Sequence, residues 1–281
     1  MLPIRRADLP SVAWDNYVAN QPDGWFFHTQ AWIEYALAYT PSARDSSFAV
    51  ADDSGEIVGV APIVIDKSAG YVFGGQDLVS PLGKARWGEG SVIFNGRPRR
   101  SDDVEDGTFV VDLSRHPKML WRNLRGSYKP LINKASRELT FTTAFARSHS
   151  ETRAELFMAA ALAVHTKVSG RQTRPDRTWQ LQSQWLSDGR AAAVLASRNG
   201  DVIAFAYALT WKGWAYYFSS ASLEDNVLHA LVWELMTLSA ASGCRSFELG
   251  HNADENATEK EKGIAFFKSG FGGDLWGVPR A

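Results

Sequence analysis

The residues best suited to chemistry lie near the carboxyl end, in the run from Phe266 to Gly273, FFKSGFGG. Lys268 stands on a predicted short helix, Ile264–Ser269, between Phe267 and a glycine-rich turn that also carries Phe271. A lysine among aromatic side chains is partly desolvated, and its ammonium can give a strong charge-assisted hydrogen bond to an anion or to an oxyanion that develops during reaction. The glycines permit close backbone approach. The same pattern also suits a lysine lying along apolar surface with its head in water. A second candidate is a run of charge. From Arg115 to Arg137 there are seven basic residues (Arg115, Lys118, Arg122, Arg125, Lys129, Lys134 and Arg137) and no acid. On one helix, Lys118, Arg122, Arg125 and Lys129 would share a face, with Pro130 breaking or kinking it. Like charges at that spacing repel, and a bound polyanion would relieve the repulsion. The plain alternative is a solvated face balanced by the neighbouring acids Asp102, Asp103, Glu105 and Asp106.

The elements that must position these residues read as two halves of similar grammar. In the first, Leu9–Asn20 and Gln30–Tyr39 are predicted helices. Ser47–Ala51 and Glu56–Ile65 are predicted strands around the turn Asp52-Asp53-Ser54-Gly55. Gly70–Gly75 is a possible third strand, and Gln76–Asp106 reads as a long loop. Thr108–Leu113 is a predicted strand. In the second half, Glu151–Ser169 and Gln180–Ser187 are predicted helices. Ala191–Ser197, Val202–Trp211 and Trp214–Ser219 form an antiparallel meander whose first turn, Asn199-Gly200, is a strong type I′ signal. Asp225–Ser242 is a predicted helix, Arg245–Leu249 a strand, and Leu275–Val278 a last strand. A meander followed by a helical crossover makes a mixed sheet flanked by helices, an α/β (α+β) architecture. The expected boundary lies near Ala144–Ser150, giving units 1–146 and 147–281.

The chain has 281 residues, 45% hydrophobic and 22% charged, with 30 basic and 31 acidic residues and a formal net charge of −1. That excludes a disordered chain and argues against a general nucleic-acid binder with a basic face all round, so DNA is not an expected partner. The single cysteine, Cys244, excludes a disulfide framework and a cysteine-rich zinc site. The spacing of His251, Asp254 and Glu255 is generic, and no metal is expected. No run of apolar residues is long enough to span a bilayer, and the N-terminus lacks the apolar core of a signal peptide, so the expected compartment is the cytoplasm.

Several separated segments together resemble one family. They are LWRNLRGSYKPLINKASRE (Leu120–Glu138), the helix with His165 followed by Gly170-Arg171, AFAYAL (Ala204–Leu209), AYYFSSAS (Ala215–Ser222), HALVWELM (His229–Met236), FELG (Phe247–Gly250) and FFKSGFGG. In this order they resemble the Fem-type peptidoglycan bridge aminoacyltransferases, the FemAB-like branch of the GCN5-related N-acetyltransferase (GNAT) superfamily. The resemblance implies two tandem GNAT-like subdomains with a cleft between them, the first on the acceptor side and the second on the acyl-donor side. It implies transfer of an aminoacyl group from aminoacyl-tRNA, a co-substrate rather than a cofactor, to an amine. Phe267-Lys268 falls on the family's phenylalanine–lysine pair at the donor site, and Lys129 and Lys134 fall in its basic helix. The chain departs from the family at Asn133-Lys134-Ala135, where an arginine often precedes the lysine–alanine pair. It also shows no long paired heptads, which leaves a peptide-like metabolite as well as a peptidoglycan precursor open as acceptor.

Such a transfer needs no covalent enzyme intermediate. It needs alignment of a neutral amine with an activated ester and stabilisation of an oxyanion, for which Lys268 is the candidate. Candidates for a weak base are Glu248, His165 and His251. Phe267, Phe271 and Arg125 join Lys129 and Lys134 as candidates for donor contact. Tyr207, Tyr217, Arg171, His251 and Asn252 are candidates to line the acceptor side. Alternation puts Tyr216 and Tyr217 on opposite faces, so at most one of them lines a cleft. An acyl-CoA-dependent GNAT enzyme is the first alternative. The segment where such enzymes carry a glycine-rich pyrophosphate loop reads Ala221-Ser-Leu-Glu-Asp-Asn226, without glycine and with two acids. That disfavours CoA there, though the segment near Gly83–Gly90 could hold it. A non-catalytic binding module is the second alternative.

Overall fold

A computed structural model describes residues 2–22, 24–66, 71–72, 107–145, 151–253 and 257–277. The chain divides into two units, Met1–Ser101 with Gly277–Ala281, and Asp102–Trp276. The division falls well before the boundary expected at 146/147.

In the first unit the described elements are β1 (Leu2–Arg5), α1 (Ser11–Asn20), α2 (Gln30–Tyr39), β2 (Arg44–Asp45), β3 (Phe48–Ala51), β4 (Ile57–Ala61), β5 (Val64–Asp66) and β6 (Tyr71–Val72). They form two three-stranded sheets, β1-β3-β4 and β2-β5-β6. The expected strand Glu56–Ile65 is thus two strands in two sheets. Pro62, with no N–H to give a ladder, lies between them. The turn Asp52–Gly55 closes the β3–β4 hairpin as expected, with Gly55 at φ +86° and the Asp52 N–H donating to the Glu56 carbonyl at 2.9 Å. Thr29 accepts from the Trp32 N–H and caps α2. Trp14, Val18, Phe26 and Ile33 are buried, and the Trp14 indole donates to the His28 carbonyl at 2.8 Å. The segment 73–106, with the expected loop, Gly83–Gly90 and the acids Asp102 to Asp106, lies outside the described residues.

The second unit contains β7 (Gly107–Asp112), α3 (Pro117–Asn123), α4 (Tyr128–Glu138), β8 (Thr140–Phe145), α5 (Glu151–Ser169), α6 (Asp176–Ser187), β9 (Ala191–Arg198), β10 (Asp201–Trp211), β11 (Trp214–Ser222), α7 (Val227–Ala241), β12 (Ser246–His251), α8 (Glu259–Ser269) and β13 (Asp274–Gly277). One seven-stranded mixed sheet runs β13-β7-β12-β11-β10-β9-β8. In it β8 pairs with β9 and β7 with β12. Those ladders bind residues 107–145 to the second sheet. The Asn199-Gly200 turn has φ of +53° and +92°, both positive as type I′ requires.

One face of the sheet is lined by Ala192, Val194, Ala196, Ala204, Ala206 and Ala208, whose small side chains let α7 approach with Leu231, Leu235 and Met236. Full burial of such large apolar side chains contributes about 1.5–3 kcal/mol each. On the other face α5 and α6 bury Phe157, Met158, Trp179 and Trp185. β11 and β12 run parallel, and their register covers Trp214–Tyr216 against Ser246–Glu248, although the strands continue to Ser222 and His251. Among the described residues no helix is long and apolar enough to cross a membrane.

Candidate active site

The candidate site lies at the last pair of the β11–β12 ladder and just past it on β12. Tyr216 and Glu248 are register partners, so their side chains share a face. Glu248 is buried and accepts a hydrogen bond from the Thr108 hydroxyl at 3.0 Å, while its Oε2 is buried with no hydrogen-bond partner among the described residues. The β12–β7 register shifts between Glu248 and Gly250, and Gly250 adopts φ +89°, a left-handed conformation that favours glycine. Lys268 reaches this point from α8. A Cβ added to Gly250 would lie 2.8 Å from Lys268 Nζ and 3.6 Å from the Tyr216 hydroxyl. The ammonium therefore rests directly on the Gly250 backbone, beside a phenol and a buried carboxyl.

Burial decides the electrostatics. It pushes the Glu248 carboxyl up to about 7, against the opposing pull of the Thr108 hydrogen bond and the Lys268 charge. Burial likewise lowers Lys268, opposed by Glu248. Burial and the Glu248 charge push the Tyr216 phenol up, which keeps it protonated as a donor. Among the described residues the Lys268 ammonium makes no hydrogen bond and no ion pair. A half-buried cation, a carboxyl near neutrality and a protonated phenol at one backbone point can hold an anionic oxygen and move a proton next to it.

Phe267 and Phe271 belong to the wall behind Lys268. Phe271 is buried, and the Phe267 and Phe271 rings stand 5.1 Å apart, edge to face. Tyr128 stands 5.3 Å from Phe271, and His229 stands 4.4 Å from Tyr128 and 5.1 Å from Phe267.

Other expected site residues lie elsewhere. The basic stripe is not on one helix: α3 ends at Asn123, α4 starts at Tyr128, and Pro130 sits in the first turn of α4, where its missing N–H has no intrahelical partner to lose. The Arg125 guanidinium is turned inward, donating to the Phe266 carbonyl at 2.9 Å, the Ser269 hydroxyl at 2.8 Å and the Tyr128 hydroxyl at 3.0 Å. Lys129 is half-buried and donates to the Arg122 carbonyl at 3.1 Å. Lys134 is exposed, at a cavity of about 120 Å³ that Arg198, Glu224 and Asp225 also line.

Tyr207 is a core residue, fully buried and donating to the Gln182 carbonyl at 2.8 Å. Tyr217 packs toward the α7 face and shares a hydrogen bond with the Ser220 hydroxyl. The tyrosine beside Lys268 is Tyr216 instead. His165 sits against Trp179 with ring centroids 5.2 Å apart, its Nδ1 buried without a partner among the described residues, and burial followed by the Arg174 charge lowers its pKa. Trp179 is in turn covered by the Arg174 guanidinium at 4.3 Å. Arg171 is exposed after α5. Asn252 is exposed, and its N–H donates to the Gly107 carbonyl at 2.7 Å. His251 pairs through its backbone with Thr108; its side chain, and Asp254 and Glu255, lie outside the described residues. Sequence reasoning misses Tyr216, Thr108 and Gly250 as site residues. The Gly250 that ends FELG is the one available signal.

Residues 122–261 match the acetyltransferase (GNAT) domain family. None of the curated proteins matches the chain. Among solved structures the chain is similar to FemX, at 12% identity over 99% of this chain and 96% of that one, with a TM-score of 0.65. It is also similar to a conserved protein of unknown function from Bacteroides thetaiotaomicron VPI-5482, at 8% identity over 97% and 98%, with a TM-score of 0.50. A tandem GNAT protein from the clavulanic acid biosynthesis pathway is 13% identical over 95% and 90%, with a TM-score of 0.47. Residues 122–261 carry a GNAT acetyltransferase domain, which supports an amide-bond-forming acyltransferase, and end to end the chain has the fold of FemX.

Proposed function

We propose that the chain moves an aminoacyl group from aminoacyl-tRNA to the amine of a small or peptide-like acceptor, forming an amide bond. The observation that carries this reading is the Lys268 ammonium resting on Gly250 beside Glu248 and Tyr216. In the transfer the amine nitrogen bonds to the ester carbonyl carbon, and the carbonyl electrons move onto oxygen. Collapse of that oxyanion expels the ribose oxygen with the C–O electron pair. Lys268 faces the negative charge in the intermediate. Glu248 as carboxylate takes a proton from the nitrogen, and the ribose oxygen takes up one proton on leaving. A preorganised donor of this kind contributes about 10²–10³ in rate, and alignment of the two reactants contributes more.

The donor assignment draws on the segment before α7. Acids Glu224 and Asp225 stand there, Glu224 is tied to Arg198 at 3.0 Å, and Asn226 is left-handed at φ +64°. Two acids at a helix N-terminus oppose a pyrophosphate. A second reading, acyl-CoA as donor, is favoured by the acetyltransferase description of the matched domain family. Aminoacyl-tRNA as donor makes the cytoplasm the compartment of the reaction. The test is amide formation from a pool of charged tRNAs and a panel of amines, with acetyl-CoA run alongside. Product that vanishes on ribonuclease treatment supports the first reading; ribonuclease-resistant product from acetyl-CoA supports the second.

A further inference from the structure

We propose that Arg125 and Tyr128 are positioning residues, which set the Lys268 ammonium over Gly250 by clamping the carboxyl end of α8 from the turn between α3 and α4.

The last turn of a helix leaves carbonyls without intrahelical partners. Here the α3–α4 turn supplies donors to them on both sides of Lys268. Arg125 donates through Nη1 to the Phe266 carbonyl at 2.9 Å and through its backbone N–H to the Gly270 carbonyl at 2.8 Å. The Tyr128 hydroxyl donates to the Phe267 carbonyl at 2.9 Å. Arg125 Nη2 donates to the Ser269 hydroxyl at 2.8 Å, and its guanidinium lies 3.7 Å from the Phe266 ring centroid. A cation at a helix carboxyl end is also favoured by the macrodipole. The fit is tight: a Cβ on Gly270 would run into the Tyr128 ring.

This matters for Lys268 because no hydrogen bond or ion pair holds its ammonium among the described residues. The position of that group follows from the backbone that carries it and from the walls around it: Glu248 on β12, Tyr216 on β11 and the Gly250 backbone. A displacement of about 1 Å at a reacting centre can cost roughly 10²-fold in rate. The basic run therefore contains a residue whose charge is spent inside the fold.

The positioning role rests on the catalytic reading of Lys268, and the experiment separates the two. Protein labelled with [ε-¹³C]lysine is titrated by NMR, with the Lys268 signal identified by its loss in Lys268→Met. Tyr128→Phe removes one hydroxyl and no charge. Arg125→Lys keeps the charge and removes the fork. In both, the Lys268 titration midpoint is expected to move toward those of exposed lysines by about half a pH unit or more. Turnover in the charged-tRNA assay is expected to fall about tenfold with KM within about twofold. A role confined to stability would lower the melting temperature and leave the midpoint alone; an unmoved midpoint in both folded variants overturns the proposal. Should one variant fail to fold, the other decides. Wild-type turnover in Lys268→Met, with the midpoint shifts still present, overturns the catalytic reading and leaves the clamp standing.

Discussion

Lys268 Nζ lies so close above Gly250 that a methyl group on the glycine would come within 2.8 Å of it. Two constraints meet at that residue, since Gly250 also holds φ +89°. The first side chain added there is strained in its backbone and displaces the ammonium. Nζ ends a flexible chain and can move aside, so the clash costs little stability by itself; its cost falls on the position of the charge. Gly250→Ala is expected to lose about 1–3 kcal/mol from backbone strain and about tenfold or more in turnover. Denaturant unfolding and initial rates on the same preparation check both. A stable variant with wild-type turnover would remove Gly250 from the site.

Lys268→Met keeps the length of the side chain and removes its charge. If the ammonium faces the oxyanion, turnover falls by about 10²–10³. The fold should tolerate the change, because desolvation already disfavours the charge and no partner among the described residues is orphaned by its loss except the electrostatic one with Glu248. Near-normal turnover in the folded variant would take Lys268 out of the mechanism.

What a sequence reveals of such a site depends on the physics of each residue. FFKSGFGG and FELG announce Lys268 and Glu248, since a lysine among aromatics and an acid ending an apolar strand are unusual pairings. The meander is legible because Asn199-Gly200 and Lys212-Gly213 require left-handed backbone, and all four residues adopt positive φ. Tyr216 does not stand out from Tyr217, because alternation says that they differ and not which face is which. The bulge between Tyr207 and Ala208 further shifts the β10–β11 register. Thr108 meets Glu248 across 140 residues of chain, a pairing no local pattern encodes. Arg125 reads as part of a surface stripe because a charge run looks the same whether a cation faces solvent or caps a helix. The pairing of β8 at the edge of the seven-stranded sheet is likewise not marked by local sequence.

Glu248 links the site to pH. Its carboxyl is raised to about 7 by burial, against about 4.3 for an unfolded glutamate. A raised acid pKa means that stability is fully present below the unfolded value and is lost as pH rises through the folded one. Wild-type stability should therefore decline between about pH 4.3 and 7, by about 3–4 kcal/mol at most, and Glu248→Gln should flatten that decline. Activity runs the other way: a proton acceptor must be ionised, so turnover should rise through about pH 7. Glu248→Gln should lose that limb together with most of the turnover. A pH–rate profile and a pH–unfolding series give opposite slopes in the wild type, and neither slope in Glu248→Gln, if this assignment holds. An unchanged acidic limb in Glu248→Gln would assign the proton to another group.

The two lysines of α4 make a separate claim on the donor. Arg125 is committed to the end of α8, so a polyanion would be met by Lys129 and Lys134, on either side of Pro130. Lys129 gives one hydrogen bond to the Arg122 carbonyl, which is weak enough to exchange for a phosphate. Every phosphate that a lysine neutralises on a single strand steepens the fall of log K with log salt by about 0.7. The double variant Lys129→Ala, Lys134→Ala should then bind charged tRNA more weakly at low salt and lower that slope by about 1–1.5. At high salt the two proteins should converge, because screening has already removed what the lysines supplied. Affinity measured across ionic strength separates this from a loss of shape, which would weaken binding by the same factor at every salt concentration. Identical curves for the two proteins would return both lysines to the ordinary solvated surface.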